Sequence, residues 1–210
     1  MPSKNMAKLI LKDGTVYEGI NFGAGKSVSG EVVFATGMVG YPEALTDPSF
    51  KGQILVLTYP LMGNYGVPKK DFWESNKIQV SGLIVCNYID TPSHHAMESS
   101  LGKWLKNEKI PALQIKDTRA LTQKLRDEGV SLGKIIIGGQ DVSFENPNVR
   151  NLVAEVSTKE ILSFGLGKKT IVLLDCGQKQ NIVKRLVARG LKVKVVPWNT
   201  DILKLGFPFS

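Results

Sequence analysis

The segment from Gln53 to Tyr59 constrains the fold more than any other part of this 210-residue chain. Four consecutive apolar residues, Ile54 to Leu57, stand at its centre and do not alternate with polar ones. A strand that is apolar on both faces has to be covered on both faces, which is typical of sheets in α/β proteins. We therefore predict an α/β protein with this strand in its core.

Shorter strand signals surround this segment. Asp13-Gly14 lies between two short apolar runs and predicts a hairpin, because glycine adopts a positive φ at low steric cost. Residues 31–36 are the next predicted strand. Residues 36–50 are dense in Gly, Pro, Thr, Asp and Ser, which predicts an ordered loop of the kind that often carries function.

The middle of the chain alternates between strand and helix patterns. Strands are predicted over residues 80–86, 110–115 and 132–137. Apolar residues at helical spacing predict a helix over about residues 96–107. Asp117 is expected to cap a second helix, which ends at Gly129.

A new pattern begins at Thr170. A strand over residues 170–174, predicted to be buried, a helix that ends at Gly190 and a strand over residues 191–196 form a βαβ unit, predicted to be parallel and right-handed. One such unit cannot close its own core, so we predict that a second domain begins here and is unfinished. The predicted organisation is an N-terminal domain over residues 1–140, a linker over 141–169 and a truncated domain over 170–210.

The net charge of +8 does not by itself indicate a nucleic-acid-binding protein. The 27 basic residues are spread singly or in pairs, without a stripe interleaved with aromatic residues. This distribution favours a solvated basic surface or an acidic protein partner, and we predict no nucleic-acid partner.

The two cysteines do not form a disulfide framework in a chain of this length. Cys86 and Cys176 each lie in or at the end of an apolar run and are predicted to be buried. Cys176 also lacks the flanking glycines of a nucleophile elbow and an obvious histidine partner, so we predict a structural role. The two histidines, His94 and His95, are adjacent, and no metal-ligand spacing is present.

No segment approaches the ~18 uninterrupted apolar residues that a membrane-spanning helix needs. Residues 1–8 lack the apolar core of a signal peptide. We therefore predict no membrane association and a cytoplasmic location.

Three polar segments hold candidate functional side chains, and each has a plain structural alternative. Asp47-Pro48-Ser49 favours a turn that presents the Ser49 hydroxyl to an amide or carboxylate, or simply a capping serine. Residues 58–66 follow the buried strand, where α/β folds often place ligands, or they form a corner of the fold. Arg119, in the first turn of the predicted helix after Asp117, is able to hold a carboxylate, but a structural role explains that segment as well.

Taken together, these segments resemble the small, glutamine-handling subunit of carbamoyl phosphate synthetase. The matching segments lie, in order, at residues 30–34, 36–41, 45–49, 57–66, 117–129 and 152–157. Asp175-Cys176-Gly177, with Lys179 and Asn181-Ile182 after it, resembles the opening of that subunit's class I glutamine amidotransferase domain. The resemblance extends from about residue 7 to residue 206. The same residues are also similar to the matching part of the fused multifunctional pyrimidine-pathway protein.

The resemblance implies a mixed β/α N-terminal domain followed by the first βαβ unit of a flavodoxin-like domain. It implies a subunit that hydrolyses glutamine and passes ammonia to a large subunit, which makes carbamoyl phosphate with ATP for arginine and pyrimidine synthesis. The resemblance also implies that Ser49, by its place in the motif, is the serine that contacts glutamine. Glutamine and the large subunit are the expected partners, and no cofactor is expected in this chain.

The family's catalytic Cys, His and Glu would follow residue 196, and we find none of them here. We therefore expect no catalytic residue in this chain and no glutaminase activity from it alone. We interpret the chain as truncated. The alternative is a non-catalytic module that only docks on the large subunit.

Overall fold

The computed structural model describes residues 6–209 and arranges them as a mixed α/β protein. Up to residue 137 the elements are β1 (Met6–Leu11), β2 (Val16–Asn21), β3 (Val28–Ala35), α1 (Tyr41–Thr46), β4 (Gln53–Leu57), β5 (Leu61–Met62), β6 (Gly82–Val85), β7 (Asn87–Tyr88), α2 (Leu101–Asn107), β8 (Ala112–Ile115), α3 (Thr118–Glu128) and β9 (Ser131–Ile137). They are followed by α4 (Leu152–Val156), β10 (Leu162–Phe164), β11 (Thr170–Asp175), α5 (Gln180–Ala188) and β12 (Lys192–Pro197).

Seven of these strands close into a barrel in the order β1-β2-β8-β6-β4-β3-β9. The strands β3, β4, β6 and β8 are parallel to their neighbours within this set, and β9 closes the barrel by pairing antiparallel with both β1 and β3. The antiparallel pairing of β1 with β2 confirms the predicted hairpin, and Gly14 in its turn has φ +90°. The two-residue strands β5 and β7 pair with each other outside the barrel.

The strand β4 is buried on both faces, as its sequence predicts. Ile54 and Val56 belong to one hydrophobic cluster, to which α3 contributes Leu121 and Leu125. The alternate residues of β4 belong to a second cluster, in which α1 and α2 pack against the barrel. Consecutive apolar residues were therefore a reliable sign of a strand covered on both sides.

Two boundaries differ from the sequence-based prediction. The segment 36–50 is not a loop throughout, because α1 forms within it and buries Tyr41 and Leu45, four residues apart, against the barrel. The helix predicted from residue 96 begins at Leu101, because the Ser100 side chain caps it by accepting a hydrogen bond from the N–H of Lys103.

The second sheet has the order β10-β12-β11. Its β11-α5-β12 unit is parallel, which confirms the predicted βαβ unit, and α5 buries Val183 against Val193 and Val195. The sheet also contains a strand that the sequence did not predict: β10, inside the segment predicted as a linker, pairs antiparallel with β12.

Two burial predictions are wrong. The strand β11 is only half-buried and Leu174 is 39% exposed, because β11 is an edge strand and α5 covers one face of a three-stranded sheet. Cys176 is exposed and Cys86 only partly buried, because each lies one residue beyond the end of its strand.

Within residues 6–209, no helix is long and apolar enough to cross a membrane, and no group of three or more His, Cys, Asp or Glu side chains is arranged to hold a metal ion. The N-terminal segment, residues 1–8, was predicted to lack a signal peptide. Residues 1–5 of it lie outside the described part of the chain.

The cap of α3 provides a first prediction. Asp117 Oδ1 accepts a hydrogen bond from the N–H of Ala120 at 2.8 Å, as the sequence predicts. Replacing Asp117 with alanine is expected to lower the free energy of unfolding by about 1 kcal/mol, because the helix loses its side-chain cap. Urea unfolding measures this loss. The matched control is Asp127→Ala in the last turn of the same helix, which removes no cap, and equal losses in the two variants would contradict the prediction.

Candidate functional site

Ser49 is exposed on a one-turn 3₁₀ helix, Pro48–Phe50, immediately after α1. The N–H of Ser49 donates to Asp47 Oδ1 at 2.9 Å, and the N–H of Lys51 donates to the carbonyl of Pro48 at 3.1 Å. The sequence folds this way because an aspartate accepts from the N–H two residues later and proline fixes φ at the first position of the turn. The predicted turn is confirmed, and it presents the Ser49 side chain on an ordered backbone.

The turn around Ser49 lies where the barrel meets the second sheet. Asp47 Oδ2 is 2.6 Å from Nζ of Lys179, the residue before α5. Pro48 packs against Gly177, since a Cβ built on that glycine would lie 3.2 Å from the Cβ of Pro48. The Ser49 turn therefore contacts the βαβ unit at two points.

Asp175 fixes the backbone that reaches Pro48. This carboxylate is buried, and its Oδ1 accepts from the N–H groups of Gly177 and Gln178, both at 3.1 Å. Its Oδ2 accepts from the N–H of Thr158 at 2.6 Å. Sequence reasoning identified this turn but not the link from Asp175 to Thr158, because Thr158 lies 17 positions away in sequence.

Glu74 connects the barrel to the N-terminus of α5. Its carbonyl accepts from the N–H of Gln180 at 2.9 Å, and its Oε2 accepts from the N–H of Asn181 at 3.0 Å. The helix has no capping side chain of its own at Lys179, so this carboxylate from another part of the chain takes that place. The N–H of Glu74 in turn donates to Oγ1 of the buried Thr46, the residue before Asp47. No sequence pattern marked Glu74 as important.

Tyr65 joins the second motif segment, residues 58–66, to the first. Its hydroxyl oxygen accepts from the N–H groups of Gly40 at 2.9 Å and Tyr41 at 3.1 Å, and the two tyrosine rings stack with centroids 4.3 Å apart. The Tyr41 hydroxyl donates to the carbonyl of Gly66. Burial raises the pKa of both tyrosine hydroxyls, so both stay neutral. Their hydrogen bonds fix the backbone at the start of α1.

Arg119 lies at a different place. It lines a cavity of about 480 Å³ together with Thr36, Thr58 and Lys116, and Ser49 does not line that cavity. Arg119 forms no ion pair with a carboxylate in residues 6–209, so its predicted role as a carboxylate holder stays a prediction.

A cleft of about 640 Å³ separates the barrel from the second sheet, with Pro48 on one wall and Gln178 on the other. The side-chain oxygens of Gln79 and Gln178, both lining this cleft, are buried without a hydrogen-bond partner in the described part of the chain. Because these two oxygens have almost no accessible surface, a donor in the cleft reaches them only after their side chains rotate.

The cysteines do not form a catalytic pair in the described residues. Cys86 Sγ contacts the carbonyl of Lys116 at 3.6 Å, and neither Cys86 nor Cys176 hydrogen-bonds to a histidine there. The His94 and His95 rings instead lie against each other, and His94 lies near Tyr65. A cysteine nucleophile hydrogen-bonded to a histidine base is therefore not found among residues 6–209.

Comparison with known proteins adds independent information. Residues 9–135 match the family model described as "Carbamoyl-phosphate synthase small chain, CPSase domain". The chain is 48% identical to mouse "Carbamoyl-phosphate synthase [ammonia], mitochondrial" over 96% of this chain and 14% of that protein. It is 49% identical to "Multifunctional protein CAD" of Squalus acanthias over 92% of this chain and 9% of that protein. It is 44% identical to "Multifunctional protein URA2" of Saccharomyces cerevisiae over 95% of this chain and 11% of that protein.

The chain therefore spans about a seventh or less of the length of these relatives. Among solved structures, an aminopeptidase from Aneurinibacillus sp. strain AM-1 aligns over 93% of this chain and 49% of its own, with 12% identity and a TM-score of 0.38. A likeness at this level supports no argument about the fold.

Proposed function

Because this chain belongs to the carbamoyl-phosphate synthase small-chain family, we propose that it serves as the small-chain region of a glutamine-hydrolysing carbamoyl-phosphate synthase. In this role the synthase is a ligase that combines bicarbonate, ATP and nitrogen taken from glutamine, for arginine and pyrimidine synthesis. The region acts together with a large subunit, or with the equivalent part of a fused protein such as its relatives named multifunctional.

One observation carries the glutamine part of the proposal: the ordered, exposed Ser49 turn at the junction of the barrel and the second sheet. A hydroxyl both donates and accepts hydrogen bonds, so it suits a side-chain amide, which also does both. The backbone of the turn is held by Asp47, so contact with a ligand does not require the turn to fold first. We propose that Ser49 binds glutamine.

The domain organisation belongs to the same proposal. We assign residues 1–140 to the small-chain N-terminal domain, 141–169 to a connecting segment and 170–210 to the opening of a flavodoxin-like amidotransferase domain. Support comes from the parallel β11-α5-β12 unit. The antiparallel β10 adds a strand from the connecting segment to this sheet.

By themselves these 210 residues are proposed to be inactive as a glutaminase. Glutamine hydrolysis of this kind needs a thiolate with a histidine base. The sequence contains no G-x-C-x-G segment, and Cys176, at the βα turn, is exposed without a histidine beside it in the described residues. A chain of these residues that released ammonia from glutamine would contradict this part of the proposal.

A second candidate function differs in the nitrogen source. The mouse relative is 48% identical, and its name specifies ammonia. A synthase that takes ammonia directly would need no glutamine contact, and the Ser49 turn would then serve only to join the two sheets. The choice between the two candidates therefore depends on the nitrogen source of the complete protein.

The test compares glutamine and ammonia as nitrogen sources for carbamoyl phosphate formation by the complete protein. Ser49→Ala is expected to raise KM for glutamine about tenfold, the equivalent of one lost hydrogen bond to the substrate, and to leave the ammonia-supported rate unchanged. The matched control is Ser143→Ala, at an exposed serine beyond the barrel, which should change neither quantity.

Two results would count against this assignment. If the unchanged protein uses ammonia but not glutamine, the second candidate function is correct. If glutamine is used and Ser49→Ala has the same KM as the control, Ser49 does not bind the substrate.

A further inference from the structure

The carboxyl ends of four parallel strands meet at one cavity of the barrel. The strands β3, β4, β6 and β8 are neighbours and run in the same direction. The residue immediately after each of them lines the cavity of about 480 Å³ that contains Arg119: Thr36, Thr58, Cys86 and Lys116. Proteins of the α/β class place ligands at this end of their parallel strands, and the volume is typical of small-molecule sites.

The side chains that line this cavity give it a positive charge. Lys116, Arg119 and Arg126 line it, and Asp117 is the carboxylate that lines it in the described part of the chain. Arg126 pairs with its neighbour Asp127 at 2.9 Å. Lys116 and Arg119 form no ion pair with a carboxylate of residues 6–209. These two cations are therefore available to an anion in the cavity.

The N-terminus of the eleven-residue helix α3 lies at the same cavity. Thr118 and Arg119 occupy its first two positions, where backbone N–H groups have no acceptor within the helix. The Asp117 cap accepts from the N–H of Ala120 and does not serve these two groups. Free N–H groups and the helix dipole both attract negative charge, so the helix end adds to the attraction of the cations.

The Thr118 hydroxyl is a separate sign of a ligand. Thr118 is only 3% exposed and lines the cavity. Its carbonyl accepts from the Thr122 hydroxyl at 2.7 Å, whereas its own hydroxyl makes no hydrogen bond within residues 6–209. That hydroxyl is not fully enclosed, so the surface it retains faces the cavity. Buried polar groups normally have a partner, and an oxygen atom of a bound ligand would supply one here.

We propose that this cavity binds a phosphate group, either as the free ion or as part of a small molecule. A phosphate group carries roughly two negative charges near pH 7, which matches the two unpaired cations. Its terminal oxygens accept together from a guanidinium, a hydroxyl and backbone N–H groups. A carboxylate has one charge and two oxygens and would leave some of these donors unused. The proposal does not rest on the proposed function, because Ser49 does not line this cavity.

The experiment measures hydrogen exchange of this 210-residue chain with increasing inorganic phosphate, at an ionic strength held constant with sodium chloride. We expect slower exchange over residues 116–122, because a bound anion takes up the free N–H groups of α3. The phosphate concentration that gives half of this protection measures the affinity. Glycerol 3-phosphate is the second probe, and whichever probe binds more tightly identifies the free ion or the ester as the preferred form.

Two variants test the residues that carry the proposal. Arg119→Met is expected to weaken phosphate binding about tenfold, because a charge-assisted hydrogen bond is lost. Thr118→Val keeps the shape of the side chain and is expected to weaken binding about threefold, through the loss of a neutral hydrogen bond. The matched control is Arg185→Met, which makes the same change of charge at an exposed residue of α5 away from the cavity and should leave the affinity unchanged.

The outcomes separate a specific site from general attraction to a basic protein. Slower exchange confined to residues 116–122, and weakened in Arg119→Met but not in Arg185→Met, supports the site. Absence of protection by either probe, or equal affinities in these two variants, would overturn it. Protection by acetate as strong as that by phosphate would overturn the assignment to phosphate. None of these results depends on glutamine, so failure of the proposed function would leave them unchanged.

Discussion

Replacing Ile84 with alanine is expected to lower the free energy of unfolding by about 2–5 kcal/mol, the range found when large core side chains are truncated. Ile84 is fully buried at the centre of β6, where its neighbours across the ladder are Val56 and Leu113. Strands of a closed barrel are held on both edges, so they cannot move inward to fill the space left by the lost carbon atoms. The loss therefore includes a cavity as well as reduced apolar burial.

The control for this prediction is Ile20→Ala, the same chemical change at a barrel residue that is 53% exposed. Its expected effect is less than about 1 kcal/mol, since little apolar surface is removed from contact there. Denaturant unfolding of both variants measures the difference. Losses of equal size would mean that Ile84 does not lie in a tightly packed core.

Replacing Gly177 with alanine is expected to lower the free energy of unfolding by about 2–4 kcal/mol, from backbone strain and overpacking together. Gly177 has φ +94°, a conformation unfavourable for residues with a Cβ. The added methyl group would also lie 2.8 Å from Cγ2 of Val156 and 3.2 Å from the Cβ of Pro48. The second sheet would have to shift away from the Ser49 turn to accommodate it.

Gly190 provides the matched control for Gly177. It also has a positive φ, +76°, but a Cβ built there meets no atom within 4 Å. Gly190→Ala is therefore expected to show the strain alone, about 1–2 kcal/mol. The difference between the two variants measures the packing of Gly177 against Val156 and Pro48, and an identical loss in both would show that this packing contributes nothing.

Features that depend on neighbouring residues were predicted well. The Asp13-Gly14 hairpin, the Asp117 cap and the β11-α5-β12 unit each depend on residues close together in sequence, and all three are confirmed. The apolar run in β4 was also sufficient to predict a strand buried on both faces, because apolar residues on both faces require other elements to cover them.

Features that depend on distant partners were missed. Closure of the barrel requires β1 to pair with β9, and no local pattern encodes that choice. The strand β10 has only three residues, Leu162–Phe164, and one apolar-polar-apolar triplet is too short to identify a strand from sequence. Burial of the cysteines was predicted from the apolar runs beside them. Each cysteine lies just past the end of its strand, where neighbouring elements no longer cover the side chain fully.

The candidate site shows the same difference between local features, which were predicted, and long-range contacts, which were missed. The Ser49 turn was predicted because Asp-Pro-Ser is a local signal. The contacts of Glu74 with α5 and of Lys179 with Asp47 join residues more than 100 positions apart. Only the folded arrangement shows that the Ser49 turn is also a point of attachment for the second sheet.

Barrel closure has a consequence for how the protein is made. Ala7 pairs with Ile137, so the first strand has no partner on that edge until the ribosome has added about 130 further residues. At typical synthesis rates this interval is on the order of ten seconds. During that time the nascent hairpin exposes an unpaired strand edge, to which other chains can add. Slower translation lengthens this exposure, so recovery of native protein from an expressing cell is expected to depend on chaperones that shield the growing chain until Ile137 has emerged.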